Sequence, residues 1–136
     1  MTKIEATPNC GNSPKSQTLV ELTVAIARAD VSALAALVTL DVSWNPVGRK
    51  RVAGVEAFCK AITRYGPAKR LTIRHVLTHG SSGAVDGIVD YNGRQRAFCF
   101  MFDFANAKGK AVRNISSYSI ALPADSVGRP DSASES

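Results

Sequence analysis

The chain contains 136 residues, of which 45% are hydrophobic and 21% are charged. This length and composition fit one globular domain with a buried core and exclude a wholly disordered chain. The formal net charge of +6 raises nucleic acid, an anionic membrane surface or an acidic ligand as partners to be tested. No run of about 18 apolar residues occurs, and residues 1–15 lack the apolar core of a signal peptide. We therefore expect neither a membrane-spanning helix nor a signal peptide.

The two ends of the chain differ in composition from the middle. Residues 1–15 and 123–136 are rich in Ser, Pro, Asn and Asp and contain little that can be buried. We predict that both are flexible tails and that residues 16–122 form a single folded domain.

Apolar residues at helical spacing predict three helices. The first covers about residues 16–29. Asp30 then caps a second, short helix, because its carboxylate can accept a backbone N–H from the next turn. The third covers about residues 55–65, with Tyr65 on its buried face, and ends at Gly66.

Alternating apolar residues predict one short strand before the third helix and four antiparallel strands after it. These strands are expected at residues 42–44, 71–79, 84–91, 95–104 and 111–122. Asn92-Gly93, between two such segments, is the strongest short-range signal for a hairpin. A two-residue turn there pairs Tyr91 with Arg94 and therefore Val85 with Phe100. Helices followed by strands predict an α+β fold with the helices packed on one face of the sheet.

The predicted register assigns each side chain of the central hairpin to one of two sheet faces. One face carries Val85, Val89, Phe98, Phe100, Phe102 and Phe104. The other face carries Asp86, Ile88, Ala97, Cys99, Met101 and Asp103. Both faces are largely apolar, whereas an antiparallel sheet with one wet face alternates apolar and polar residues. We therefore expect the helices to cover one face and a second copy of the chain to cover the other, which gives a homodimer through the sheet.

Four motifs, in this order along the chain, carry a resemblance to a known family. They are Arg28-Ala29-Asp30 with Ala33-Leu34-Ala35-Ala36-Leu37, Trp44-Asn45-Pro46-Val47-Gly48 with Gly54, Tyr91-Asn92-Gly93-Arg94, and Gly109-Lys110-Ala111-Val112 with Tyr118. Together they resemble the nuclear transport factor 2-like superfamily, which includes the SnoaL-like proteins and the ketosteroid isomerases. The resemblance implies a cone-shaped domain of three helices and a curved antiparallel sheet, also called a cystatin-like α+β barrel.

The catalytic residues of the ketosteroid isomerases do not carry over to this chain. The family's base is an Asp immediately before Pro-Val-Gly, and this position is Asn45, whose amide cannot take a proton from carbon. The two oxyanion-hole positions of the family correspond to Leu22 and Phe102. The sequence therefore argues against a ketosteroid isomerase, supports no catalytic residue, and leaves open an isomerase, cyclase or lyase of altered mechanism.

The resemblance also implies an apolar cavity between the concave sheet face and the helices. By analogy with the family, its lining is expected to include Leu22, Asn45, Val89, Phe100, Phe102, Ile115 and Ser119. An apolar cleft with a few polar groups is the usual form of a small-molecule site, so the first hypothesis is binding of an apolar, steroid-like or polyketide-like molecule. The alternative is that the phenylalanines fill the cavity and leave a non-catalytic dimerisation or interaction module.

The positive charge is concentrated in one segment. Residues 49–74 contain eight basic residues and a single acidic residue, Glu56, whereas the rest of the chain is nearly neutral. Arg49-Lys50-Arg51 follows a turn that lies near the cavity mouth in similar folds, so it is a candidate to attract an anionic ligand. Nucleic-acid binding is disfavoured, because it would require exposed aromatic residues among these charges, and the spacing of the nearby Tyr65 places it in the core of the third helix.

The cysteines and histidines do not occur at metal-ligand spacing. The cysteines are Cys10, Cys59 and Cys99, and the histidines are His75 and His79. We predict reduced thiols in a cytoplasmic protein, with no metal and no cofactor.

Overall fold

The computed structural model describes residues 1–7 and 13–123, which form three helices and one seven-stranded sheet. The helices are α1 (Pro14–Arg28), α2 (Val31–Leu37) and α3 (Val55–Tyr65). The strands are β1 (Lys3–Ala6), β2 (Val38–Pro46), β3 (Val52–Ala53), β4 (Arg70–His79), β5 (Ser82–Tyr91), β6 (Arg94–Phe104) and β7 (Val112–Ala121). Their order across the sheet is β1-β4-β5-β6-β7-β2-β3. The predicted α+β architecture of three helices and a curved sheet is confirmed.

The helix ends follow local capping chemistry. The Ser13 hydroxyl accepts the N–H of Ser16 at 3.1 Å, and Pro14 occupies the first turn, so α1 begins two residues earlier than expected. The predicted cap of α2 is confirmed, since a carboxylate oxygen of Asp30 accepts the N–H of Ala33 at 3.3 Å. The Ser13 cap fixes the start of α1, and the Asp30 cap fixes the start of α2 directly after α1.

The central hairpin has the predicted register. Tyr91 pairs with Arg94 and Val85 pairs with Phe100 across β5 and β6. Asn92 has φ 56 and Gly93 has φ 87, so both turn residues adopt the left-handed conformation that this type of tight hairpin requires. Because the register is fixed, the two predicted sheet faces are also correct in their membership.

The N-terminal segment differs from the flexible tail expected over residues 1–15. β1 pairs in parallel with β4, and the Thr2 hydroxyl, which is buried, donates to the carbonyl oxygen of Ala68 at 2.7 Å. This pairing depends on a free sheet edge formed by residues that are distant in the sequence. The N-terminal segment is polar, with one half-buried residue, Ile4, and its own sequence therefore gives no local signal of the pairing. The expected C-terminal tail lies outside the described residues apart from Pro123, and the domain limits 16–122 stay a prediction.

The sheet is mixed rather than fully antiparallel. β2 is nine residues long and runs parallel to β7, with Trp44 opposite Ile115. The sequence predicts only the short segment 42–44, because the exposed Leu40 and Asp41 interrupt its alternation at an irregularity in the pairing. β2 thereby carries residues 44–46 to the open end of the concave face.

The inner face of the sheet packs against α1. Val85, Phe102 and Phe104 are buried there with Leu19 and Leu22. The outer face bears exposed apolar side chains that no described residue covers, and these are Leu77, Met101 and Ile120. In the described part of the chain, none of the helices has the length and apolarity needed to cross a membrane.

Candidate ligand-binding cavity

A cavity of about 220 Å³ opens between the concave sheet face and helices α1 and α3. Its apolar lining consists of Ile26, Ala27, Trp44, Pro46, Val47, Phe58, Ile62, Leu71, Val89, Phe98 and Phe100. Its remaining lining consists of Thr23, Arg49, Tyr65, Tyr91, Arg96, Ser117, Tyr118 and Ser119. Apolar walls with a small number of polar groups are the usual composition of a small-molecule site.

Aromatic rings form the walls of the cavity. The ring of Trp44 meets that of Phe58 edge to face, with centroids 5.8 Å apart, and its indole N–H donates to the Ser117 hydroxyl at 2.9 Å. Phe98 and Phe100 lie side by side on β6 with centroids 5.0 Å apart. The hydrogen bond and the ring contacts hold these walls in fixed orientations.

The inner end of the cone is closed by core side chains. Phe100 contacts Phe102 at a centroid distance of 5.5 Å, and beyond it Phe102, Leu22 and Ile115 are almost completely buried. Phenylalanine therefore fills the narrow end of the cone, while the wide end, beside the hairpin of β5 and β6, stays open.

The structure brings three of the seven expected lining residues to the cavity. Val89, Phe100 and Ser119 line it. Leu22, Phe102 and Ile115 do not line this cavity, because they are buried in the packed core at the narrow end. Apolar residues are suited both to a cavity lining and to a packed core, so the sequence does not reveal where the packed core ends and the cavity begins.

Asn45 also lies outside the cavity. Trp44 and Pro46 line the cavity, and since successive side chains of a strand point to opposite faces, Asn45 between them is exposed on the other side of β2. The position that corresponds to the isomerase base therefore has neither a carboxylate nor access to this cavity.

The mouth of the cavity carries phenols and guanidinium groups. Arg49 Nη1 donates to the Tyr65 hydroxyl at 3.3 Å, and the rings of Tyr65 and Tyr91 have centroids 6.2 Å apart. Burial raises the pKa of the Tyr91 phenol, and the nearby Tyr65 phenol raises it further. Tyr65 is 49% exposed, so its predicted place in the core of α3 is wrong, and it is a rim residue instead.

Arg96 is a second cation at this mouth, and the motif analysis missed it. Its Nε and Nη2 atoms donate to the Ser119 hydroxyl at 3.1 and 3.0 Å. The predicted register contains the signal that identifies it, because Arg96 is paired with Val89 and so lies on the inner face. All three residues of the basic triplet after the turn are exposed, and of the three Arg49 alone lines the cavity.

The remaining titratable groups do not assemble a nucleophilic or metal site in the part of the chain that the structure describes. Burial raises the pKa of the Cys59 and Cys99 thiols, and Asp86 adds to the effect at Cys99. His75 and Asp86 are in contact, with Nδ1 and Oδ1 2.7 Å apart, but they lie on the outer sheet face. Among residues 1–7 and 13–123, no cluster of three His, Cys, Asp or Glu side chains is placed to hold a metal ion.

Comparison with known proteins places this architecture in a family. The SnoaL-like domain family matches residues 19–114 of the chain. No curated protein matches the sequence.

Several solved structures share the fold. A nuclear transport factor 2-like protein of unknown function from Burkholderia xenovorans LB400 is 17% identical, with a TM-score of 0.71 over 89% of this chain and 91% of that chain. A candidate ketosteroid isomerase from Kribbella flavida DSM 17836 is 16% identical, with a TM-score of 0.68 over 80% and 79%. A candidate SnoaL-like polyketide cyclase from Shewanella denitrificans OS-217 is 10% identical, with a TM-score of 0.67 over 79% and 90%. At these identities the likeness establishes the cone-shaped fold alone.

Proposed function

The chain belongs to the SnoaL-like domain family, and we propose that it is a small-molecule binding protein whose ligand occupies the cavity between sheet and helices. The observation that carries this proposal is the open wide end of the cone. Trp44, Phe98 and Phe100 line an unfilled volume there, although Phe102 and Phe104 close the narrow end. A protein that needed these side chains only as core would gain dispersion energy by filling this space.

The volume of the cavity limits the size of the ligand. An apolar cavity of roughly 150 Å³ is enough to hold benzene, and ligand pockets usually measure about 300–1,000 Å³. A cavity of about 220 Å³ therefore suits a molecule of one or two rings. A four-ring steroid would extend through the mouth into solvent.

The proposal is binding rather than steroid isomerisation. Of the three positions that correspond to the isomerase machinery, Leu22 and Phe102 are apolar and buried, and Asn45 is an exposed amide. Among the described residues, none of those that line the cavity is a carboxylic acid. The proton transfer of that reaction therefore has no base here.

The binding proposal is testable through tryptophan fluorescence, because the chain contains a single tryptophan and Trp44 lines the cavity. We expect cinnamamide, a neutral molecule of one ring, to quench this fluorescence in a saturable manner. Val89→Phe places a ring inside the cavity and should weaken binding by about tenfold or more, whereas Ala36→Phe, at an exposed position of α2 outside the cavity, should change it by less than about twofold.

Circular dichroism and thermal unfolding serve as the control that both variants fold. Quenching that does not saturate for the unmodified protein would contradict the proposal. Equal loss of binding in the two variants would also contradict it, because only Val89 of the two lines the cavity.

We also propose that the outer sheet face forms a homodimer. The register places three rows across this face, and the first and third contain Leu77 with Met101 and Ile88 with Ile120. Leu77 and Ile120 are 67% and 71% exposed in the single chain. Several exposed large apolar side chains on one sheet face are typical of a surface that a partner covers.

A further inference from the structure

We infer that the ligand of the cavity is a carboxylic acid, whose apolar body lies against the aromatic walls and whose carboxylate is bound by Arg96 and Arg49 at the mouth. The inference rests on the proposed binding function and adds the chemical class of the ligand. Three observations support it: the placement of Arg96, the placement of Arg49, and the lack of an acidic partner for either within the described part of the chain.

Arg96 is held at the cavity with donors to spare. It lies on the inner face of β6, is half-buried, and directs Nε and Nη2 to the Ser119 hydroxyl at 3.1 and 3.0 Å and Nη2 to the Ser119 carbonyl at 3.4 Å. A guanidinium group has five N–H donors in a planar fork. Ser119 therefore fixes one edge of the group, and Nη1 has no hydrogen-bond acceptor among the described residues.

Arg49 reaches the same cavity from the loop after β2. The loop is fixed by the bond from Val47 N–H to the Ser117 carbonyl at 2.9 Å, and Ser117 lies two residues before Ser119 on β7. The Arg49 side chain donates through Nη1 to the Tyr65 hydroxyl at 3.3 Å. The loop that carries Arg49 and the guanidinium group of Arg96 are thus both bonded to β7, and both arginines line one cavity.

The charges at the mouth are unbalanced. Among residues 1–7 and 13–123, the ion pairs join Arg70 to Glu5 and His75 to Asp86, and neither involves Arg49 or Arg96. Arg96 is half-buried beside apolar walls, and a cation in such surroundings is stabilised when an anion pairs with it. The carboxylate of an amphipathic acid at the mouth would supply an anion that pairs with these two cations.

A carboxylate fits these donors better than a phosphate group does. The aromatic walls extend to the mouth, since Phe98 is separated from Arg96 by one residue of β6. A carboxylate is compact and singly charged, and it accepts two hydrogen bonds from one guanidinium fork. A phosphate ester carries more charge into the same apolar surroundings, at a higher desolvation cost.

The test compares cinnamate with cinnamamide, which share the ring and differ in charge. Isothermal titration calorimetry of the full chain should give cinnamate about a tenfold or greater advantage in Kd. Arg96→Gln should raise the Kd of cinnamate by about tenfold and change the Kd of cinnamamide by less than about twofold. Arg51→Gln removes the same charge from the neighbouring loop without touching the cavity, and should leave both affinities within about twofold.

Arg49→Gln provides a second variant with the same readout, in case Arg96→Gln does not fold. Equal affinity of the unmodified protein for cinnamate and cinnamamide would overturn the inference and leave the proposed function intact. Equal effects of Arg96→Gln and Arg51→Gln on cinnamate affinity would overturn it as well, since the positive charge of the whole region, rather than a contact with Arg96, would then attract the carboxylate. Tighter binding of styrylphosphonate than of cinnamate would overturn the assignment to carboxylic acids, and absence of binding of all these probes would overturn both proposals.

Discussion

At the scale of single residues, Tyr91 connects the environment of the cavity to a measurable pH dependence. Burial raises the pKa of its phenol above the usual value of 10.0. The folded protein therefore holds this proton more tightly than the unfolded chain does. The corresponding contribution to stability is complete below about pH 10 and is lost as the pH rises through the pKa of the folded state.

We accordingly expect the free energy of unfolding, measured in urea between neutral and strongly alkaline pH, to decline in the alkaline range. Tyr91→Phe should reduce this decline, because it removes the titrating group and keeps the ring. Tyr118→Phe is the matched control at an exposed position. If Tyr91→Phe and Tyr118→Phe reduce the alkaline decline in the free energy of unfolding by the same amount, the environment assigned to Tyr91 is wrong.

Individual site residues show what sequence patterns can and cannot provide. Val89 and Phe100 were predictable, because the hairpin register assigns them to the concave face without any knowledge of the fold. Asn45 was misplaced, because the motif gives the position of a residue along β2 but not the direction of its side chain at an irregular strand. Arg96 was overlooked because a charged residue on an inner face contradicts the expectation of an apolar lining, even though the register already placed it there.

At the scale of secondary-structure elements, the close packing of α1 on the sheet depends on a glycine of β5. A Cβ atom at Gly83 would collide with the Leu19 side chain of α1 and lie 2.9 Å from the carbonyl oxygen of Leu77. Gly83→Ala should therefore lower the free energy of unfolding by about 1–3 kcal/mol, the usual cost of overpacking.

The double variant Leu19→Ala/Gly83→Ala tests the mechanism. Leu19→Ala alone should cost about 2–5 kcal/mol, because it leaves a cavity in the core. Since the alanine at position 83 would occupy part of that cavity, the double variant should cost less than the two single variants together. Additive costs in urea denaturation would show that the two residues are not in the predicted contact.

The elements differ in how well the sequence predicts them. α3 and the hairpin of β5 and β6 have local signals, namely apolar spacing and Asn92-Gly93, and both were predicted with their correct bounds or register. The parallel pairings of β1 with β4 and of β2 with β7 join segments more than sixty residues apart. No local pattern determines such a pairing, which depends on which sheet edge remains free.

At the scale of the whole molecule, the outer sheet face leads to a prediction about assembly. The chain has a mass of 14.4 kDa, and light scattering after size exclusion should give twice this value at micromolar concentration. Ile120→Lys places a charge in the exposed apolar row and should give the mass of one chain. Val31→Lys, at an exposed apolar residue of α2, should leave the dimer intact. A single-chain mass for the unmodified protein would contradict the homodimer.

The net charge of the molecule also has a more specific meaning once the fold is known. All eight basic residues of the segment 49–74 are exposed, and Arg70 is paired with Glu5 at 3.4 Å. Of these eight residues, Arg49 alone lines the cavity, whose lining also includes Arg96 from outside the segment. For the proposed acid-binding site, the positive charge that matters is that of the two guanidinium groups which line the cavity.

The most direct test of a ligand-binding cavity is a crystal structure of the protein soaked with cinnamate. The proposed function predicts electron density for the phenyl ring against Trp44, Phe98 and Phe100, and the further inference predicts the carboxylate within hydrogen-bond distance of Arg96. A cavity closed by its own side chains, or cinnamate bound only elsewhere on the protein, would contradict the account.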